Sequence, residues 1–325
     1  MTASIGISGL LNLGNSCFLN AIIQCLNYSD EFSRFLDNET LEVKDDSNGK
    51  MIIEYNELRK LMLSKNCVIS PKRFYKFFLD CAKENDRTNF LHYQQNDASE
   101  CLQFLLEMFH NALSRCVNID IKGKVQGKQD EIAKKCFSVH KQFYENDYSE
   151  LLNIFSAIQV TTIMDKDSRK TTSINCEPYM TLMLPIPIKE KSESISLIDC
   201  FDLYLQNEVL DKHLKQTQFW SMPNILIVIL NRFYNNNLRK NQVCVEFNHN
   251  NILDLSNYII GYNSSSYKYK LYAVCNHSGS LEGGHYSSYI KINKWYHFND
   301  NEIEELGKHK VVSQKAYILF FKKIN

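Results

Sequence analysis

The sequence carries no surplus of charge: Lys plus Arg and Asp plus Glu each number 37. Nothing in its net charge therefore points to nucleic acid or a membrane surface, and only a local patch could recruit a charged partner. The N-terminal MTASIGISGLLNL lacks a basic region followed by a long apolar run. No later segment approaches the roughly 18 consecutive apolar residues of a membrane span. Among the 11 cysteines there is no C-x-x-C pair, so in a reducing compartment they are expected to be free thiols, most of them small core residues. Internal repeats and low-complexity segments are absent too. These absences predict a protein of the cytoplasm and/or nucleus, with no nucleic-acid or membrane partner.

What is present suits a globular protein: 325 residues, 44% hydrophobic and 23% charged, room for one large domain or two small ones. The stretch GLLNLGNSCFLNAIIQCL (Gly9–Leu26) reads as a polar turn running into a helix. Phe18, Leu19, Ile22, Ile23 and Leu26 recur at helical spacing and predict one buried face. MIIEYNELRKLML predicts a second helix, and Ser70-Pro71, as N-cap and first helical residue, a third. YQQNDASECLQFLLEMFHNALSRC predicts a long fourth helix, with Asp97 and Glu100 in the pattern of a capping box. Residues 117–142 are polar with little periodicity before Ile132, so an exposed connection or insertion is expected there. From Ile154 on the pattern turns to strands: AIQVTTIM, YMTLMLPIPI and the continuous apolar run ILIVILNRF, with SLIDCFDLYLQ as a short helix between. The last third, YKLYAVCNHSG, HYSSYIKI, KWYHFND and AYILFFKK, is strand-like throughout. Helices first and strands after argue for an α+β fold rather than repeating βαβ units.

Cys17 sits where turn meets helix. There the unpaired N–H groups and the positive dipole end of the first helical turn favour a thiolate, the nucleophilic form. A buried structural cysteine is the alternative reading. His277 and His285 flank the loop SGSLEGG, and His285 follows Gly283-Gly284, where missing side chains leave room for another backbone. Amide hydrolysis by a thiol needs an imidazole to take and return a proton and a side chain to hold the imidazole's tautomer. Cys17, His285 and either Asn299 or Asp300 supply these groups. Asn12 can offer an amide N–H to a tetrahedral oxyanion.

These residues resemble the ubiquitin-specific proteases, papain-like deubiquitinating enzymes. GLLNLGNSCFLNAIIQCL is similar to that family's Cys box, with Ser16 where threonine is more usual. QNDASECLQFLL is similar to its Gln-x-Asp-Ala-x-Glu-Phe-Leu helix start, with Cys101 replacing the aromatic residue. YAVCNHSGSLEGGHYSSYIK, KWYHFND and AYILFF are similar to its His box, and LPIP, SLIDCF and ILIVILNRF to landmarks between. The resemblance implies Cys17 as nucleophile, His285 as general base and acid, Asn299 as third member with Asp300 able to share its role, and Asn12 at the oxyanion. It implies that Gln95, Asp97 and Glu100 lie along the channel for the ubiquitin tail, bordered by the loop 278–284, whose Gly283 and Gly284 would let a narrow tail pass. Many family members bind zinc through two C-x-x-C pairs in β-fingers. Here Cys176 and Cys200 stand alone, so no metal is expected, and the fingers are expected to be short or weakly ordered at the tip.

The resemblance thus implies one catalytic domain over 1–325: a helical thumb about 9–116, β-fingers about 154–230 and a palm mainly 225–325. It would cleave the isopeptide or peptide bond after ubiquitin's C-terminal glycine, with no cofactor. Ubiquitin and ubiquitinated proteins are the implied partners, with room for an activating or targeting protein. A non-catalytic ubiquitin-binding module and a hydrolase for another ubiquitin-like modifier are the rival readings.

Overall fold

The computed structural model describes residues 6–92, 94–188, 194–233, 240–280, 283–307 and 310–324. Leu281 and Glu282 of the expected channel loop lie outside them. The chain divides into two compact units, the first of residues 1–113, 232–242 and 272–320, the second of 114–231, 243–271 and 321–325.

The first unit begins with β1 (Gly9–Leu10), α1 (Cys17–Asn27), α2 (Asp30–Leu36), α3 (Ser47–Ser64), β2 (Val68–Ile69), α4 (Lys72–Glu84) and α5 (Ala98–Leu113). The expected single buried face of α1 is a correction: all its residues are buried. Its polar positions are tolerated because they find partners, as when the Gln24 amide donates to the Ser8 carbonyl at 2.8 Å. Ser29 caps α2 and Asp46 caps α3 through backbone N–H groups. The start of α4 falls one residue later than expected, with Pro71 rather than Ser70 in the cap position and no side-chain cap bond. Phe78 of α4, Phe104 of α5 and Phe90 pack with ring centroids 5.3–5.5 Å apart, and Phe18 of α1 stacks on Phe90. This aromatic cluster anchors the helix that carries Cys17.

The second unit holds α6 (Lys128–Tyr144), α7 (Leu151–Phe155), β3 (Ala157–Asp165), β4 (Thr171–Tyr179), β5 (Leu182–Pro185), β6 (Ile195–Ser196), α8 (Leu197–Tyr204), β7 (Glu208–Leu210), β8 (His213–Phe219), β9 (Ile225–Asn231), β10 (Val245–Glu246) and β11 (Leu253–Asp254). Its main sheet is antiparallel in the order β4-β3-β8-β7. β9 is buried from Ile225 to Leu230 and pairs in parallel with β5, as its unbroken apolar run predicts. The stretch expected as an exposed connection or insertion is largely exposed, but much of it folds as the helix α6. It buries only Ala133 and Cys136 fully, so its apolar stripe is too thin to show as periodicity. Cys176 in β4 and Cys200 in α8 are both buried. Among the described residues no group of His, Cys, Asp or Glu is gathered to hold a metal, and these cysteines do not fit a tetrahedral zinc site.

The chain then runs through β12 (Lys268–Gly279), β13 (Gly284–Lys291), β14 (Trp295–Asn299), β15 (Glu302–Glu305) and β16 (Ala316–Lys323). In the first unit these strands lie in the order β15-β14-β13-β12-β16, with α1 against β13. Among the described residues no helix is long and apolar enough to cross a membrane.

Candidate active site

The turn before α1 is held by its own side chains. The Asn12 carbonyl oxygen accepts from the backbone N–H of Gly14 at 3.0 Å and of Ser16 at 3.2 Å, and the Ser16 hydroxyl accepts from Leu13 N–H at 2.8 Å. Gly14 has φ 95° and Asn15 φ 56°, the left-handed region in which glycine and asparagine are tolerated. The turn delivers Cys17 to the first position of α1, where the residue is 3% exposed. Burial pushes this thiol above its ordinary pKa. The backbone N–H groups of Tyr286, Phe18 and Cys17 itself pull it down, and the Asp300 carboxylate pushes it up. The expected thiolate bias of the helix end is therefore real but outweighed, because desolvation disfavours the charged form more than the amides favour it.

Antiparallel pairing of β13 with β14 brings His285 to Asn299, whose amide oxygen lies 2.5 Å from the ring Nε2. An amide oxygen only accepts, so the imidazole carries its proton on Nε2. Nδ1 is then the free base. A ring in this state can take a proton from a nearby thiol and return it to a leaving amine. Among the described residues, no hydrogen bond joins the Cys17 thiol to that ring. The strand donor at the sulfur is instead the N–H of Tyr286, the residue after His285.

Asp300 does not share the Asn299 position. β14 and β15 pair Asn299 with Glu302, leaving Asp300 and Asn301 as a two-residue turn with Asp300 at φ 52°. One carboxylate oxygen of Asp300 accepts from the Asn12 amide at 2.9 Å and the other from Asn20 at 2.8 Å, while its carbonyl accepts from Leu10 N–H at 2.9 Å. Asp300 thus ties the Cys17 turn to the strand that holds Asn299. One amide hydrogen of Asn12 is engaged there, and the other is left for a further acceptor.

The expected channel residues divide. The Gln95 side-chain oxygen accepts from Gly284 N–H at 2.5 Å. A Cβ on Gly283 would meet only Gln95, at 3.6 Å, whereas one on Gly284 would come within 2.2 Å of His277 Nε2. The missing side chain of Gly284 is thus filled from within by His277 rather than left as room for a passing tail. Asp97 caps α5, accepting from the Ser99 N–H and hydroxyl at 2.6 Å each and from the Tyr317 hydroxyl at 2.8 Å. The bond to Ser99 is a simple N-cap rather than the expected capping box, and Glu100 accepts from the Asn89 amide at 3.3 Å. Glu100 lines a 520 Å³ cavity with Arg87, Asn89, Gln103 and Glu107. Burial and then Asp97 push its carboxyl up, against Arg87.

Sequence reasoning missed Asn20, Tyr286, Tyr317 and the role of His277. Asn20 had a signal: with Gln24 and Asn27 it recurs at helical spacing from Cys17 as a polar stripe on α1. His277 is 3% exposed, packs on the Tyr286 ring at 4.6 Å, and is pushed down to about 4 by burial and by Lys240, with Asp97 opposing and His285 adding to the depression. Lys240 donates to its carbonyl.

A family model described as ubiquitin carboxyl-terminal hydrolase matches residues 8–321. Ubiquitin carboxyl-terminal hydrolase Usp2 of Drosophila melanogaster is 30% identical over 98% of this chain and 35% of its own length. Ubiquitin carboxyl-terminal hydrolase 2 of Homo sapiens is 28% identical over 97% of this chain and 55% of its own. Against these relatives the chain spans from about a third to about half of their length. Among solved structures, the SAGA Ubp8/Sgf11/Sus1/Sgf73 DUB module bound to ubiquitin aldehyde superposes with a TM-score of 0.75 at 20% identity, over 100% of this chain and 71% of that one, which shows a shared papain-like α+β fold. From residue 8 to residue 321, the chain belongs to the ubiquitin carboxyl-terminal hydrolase family.

Proposed function

We propose that this protein is a cysteine deubiquitinase that hydrolyses the isopeptide or peptide bond after the C-terminal glycine of ubiquitin. The observation that carries the reading is the His285–Asn299 pair, which leaves a basic Nδ1 on the residue next to the one whose N–H reaches Cys17. In this mechanism His285 takes the Cys17 proton and the thiolate attacks the carbonyl carbon. Asn12, with the N–H of Cys17 at the start of α1, receives the oxyanion, and His285 then protonates the leaving amine. Water repeats the sequence on the thioester and frees the ubiquitin carboxylate. No cofactor takes part in these steps.

Gln95, Glu100 and Gly283 border the channel in this reading, with Asp97 and Gly284 shaping it from behind. Helices α1–α5 form the thumb, the β4-β3-β8-β7 sheet the fingers, and β12–β16 the core of the palm, as one catalytic domain. Ubiquitin and ubiquitinated proteins are the substrates, in the cytoplasm and/or nucleus. There is room for an activating or targeting protein as a further partner, as in the similar solved module, where Ubp8 is assembled with Sgf11, Sus1 and Sgf73. The deciding experiment labels the protein with an electrophilic ubiquitin probe beside the same probe built on other modifiers. Capture of Cys17 by the ubiquitin probe is expected, and labelling by another modifier alone would overturn the substrate.

A further inference from the structure

Outside the site around Cys17, a pair of thiols stands in direct contact among the described residues. Cys136 of α6 and Cys176 of β4, 40 residues apart, have their sulfurs 3.4 Å apart, with Cys136 as donor. They lie in the core of the second unit among Ala133, Ile158, Val160 and Trp220. Cys136 is fully buried and Cys176 is 4% exposed, but Cys176 borders a 650 Å³ cavity with Ile174, Val139, Lys134 and Lys135. We propose that Cys136 and Cys176 are a dithiol modification site, oxidised by a hydroperoxide to an intramolecular disulfide that ties α6 to β4.

The two sulfurs have different parts in this chemistry. Cys176 is pulled down by the S–H it accepts from Cys136 and by the Lys135 ammonium, against burial. Cys136, the donor, is pushed up by that same bond and by burial. The sulfur bordering the cavity is therefore the one that reaches the thiolate first and attacks. Attack forms an S–O bond and breaks the peroxide O–O bond. Cys176 becomes a sulfenic acid, and the departing oxygen leaves as water with hydrogen peroxide as oxidant. Cys136 then gives up its proton and attacks that sulfur. The S–S bond forms, the S–O bond breaks, and hydroxide leaves with the proton as a second water. The thiol pair loses two electrons and the peroxide gains them. Only about 1.4 Å of approach separates the present contact from a disulfide bond length of about 2.05 Å.

The test treats the full chain with limited hydrogen peroxide, alkylates the remaining thiols, and maps peptides without reduction. A linked peptide pair holding Cys136 and Cys176 is expected, lighter than its reduced parts by two hydrogens and released by dithiothreitol. Pretreatment with phenylarsine oxide, which bridges thiols held side by side, is expected to block the link. Exposed Cys116 reports that oxidant was present. If Cys116 oxidises while both partners stay fully alkylatable, or if each ends as a separate sulfinic acid with no link, the proposal is overturned. In Cys136→Ser, dimedone is expected to trap Cys176 as a sulfenic acid. Should that variant not fold, the wild-type map alone still decides.

Discussion

Asn12 donates its side-chain amide to the Asp300 carboxylate across 2.9 Å, although the two residues stand 288 positions apart. The bond orients the amide that the mechanism assigns to the oxyanion. Asn12→Ala is therefore expected to lower kcat by about 10²-fold, about 2.7 kcal/mol, with little change in ubiquitin affinity. Asp300→Ala should cost less, by loosening Asn12 and Asn20. The two losses should fail to add, with a coupling of about 0.5–3 kcal/mol. Steady-state hydrolysis of a fluorogenic ubiquitin substrate by the singles and the double measures it, and full additivity would show that the contact does not act on turnover.

Asn299 holds His285, so Asn299→Ala should lower kcat by about 10²-fold, the lower end of what general base catalysis contributes. Asn299→Asp keeps an acceptor at Nε2 and should retain much of the rate. A severe loss in Asp300→Ala beside a mild one in Asn299→Ala would exchange their roles.

Burial raises the Cys17 thiol, so at neutral pH less of it is thiolate than in a free cysteine, and the fraction grows only as pH climbs past the ordinary thiol range near about 8.5. Alkylation of the Cys17 peptide by iodoacetamide, followed by mass spectrometry, should show that delayed rise. Among the described residues no hydrogen bond joins the His285 ring to this thiol in the free enzyme. His285→Ala should therefore leave the alkylation profile in place while turnover falls by about 10²- to 10⁴-fold.

The two glycines before His285 should respond differently. At Gly284 a methyl group would strike His277 Nε2 at 2.2 Å and the Ser278 carbonyl at 2.6 Å, so Gly284→Ala should destabilise the fold by about 1–3 kcal/mol. Gly283→Ala meets only Gln95 at 3.6 Å. It should leave the unfolding midpoint unchanged and raise KM by narrowing the channel. Equal thermal midpoints for the two variants would contradict this.

His277 sits buried at a pKa of about 4, below its ordinary 6.5. Between those values the unfolded chain binds the extra proton, so its stabilising contribution is complete above pH 6.5 and is lost as pH falls toward 4. The slope is at most about 1.4 kcal/mol per pH unit. Its charged and titratable neighbours are Lys240, Asp97 and His285. His277→Gln should flatten the pH dependence of urea unfolding in that window, and an unchanged slope would place the acid sensitivity elsewhere.

Much of the fold could be read from sequence because it is local. The periodicity of α5, the unbroken apolar β9 and the strand-like runs of β12–β14 all arise between residues a few positions apart. α6 could not be read, because only Ala133 and Cys136 of its residues are fully buried and a stripe that thin does not stand out from a polar background. The Ser70 cap fell one residue off because Ser70 and Pro71 are both plausible first positions.

By itself the sequence determined which chemistry is available: a cysteine at a helix start, a histidine beside glycines, and an Asn-Asp pair ending a strand. Only the tertiary structure decided how these groups are used. Asn299 and Asp300 are neighbours in sequence, yet the β14–β15 turn sends one to His285 and the other to Asn12 and Asn20. Spacing cannot express that division, because the partners at the N-terminal turn are some 280 residues away. The acidity of Cys17 is decided in the same way. The helix end that favours its thiolate is local, whereas the burial that outweighs it is tertiary, with α1 packed against α5 and against β13 from far along the chain.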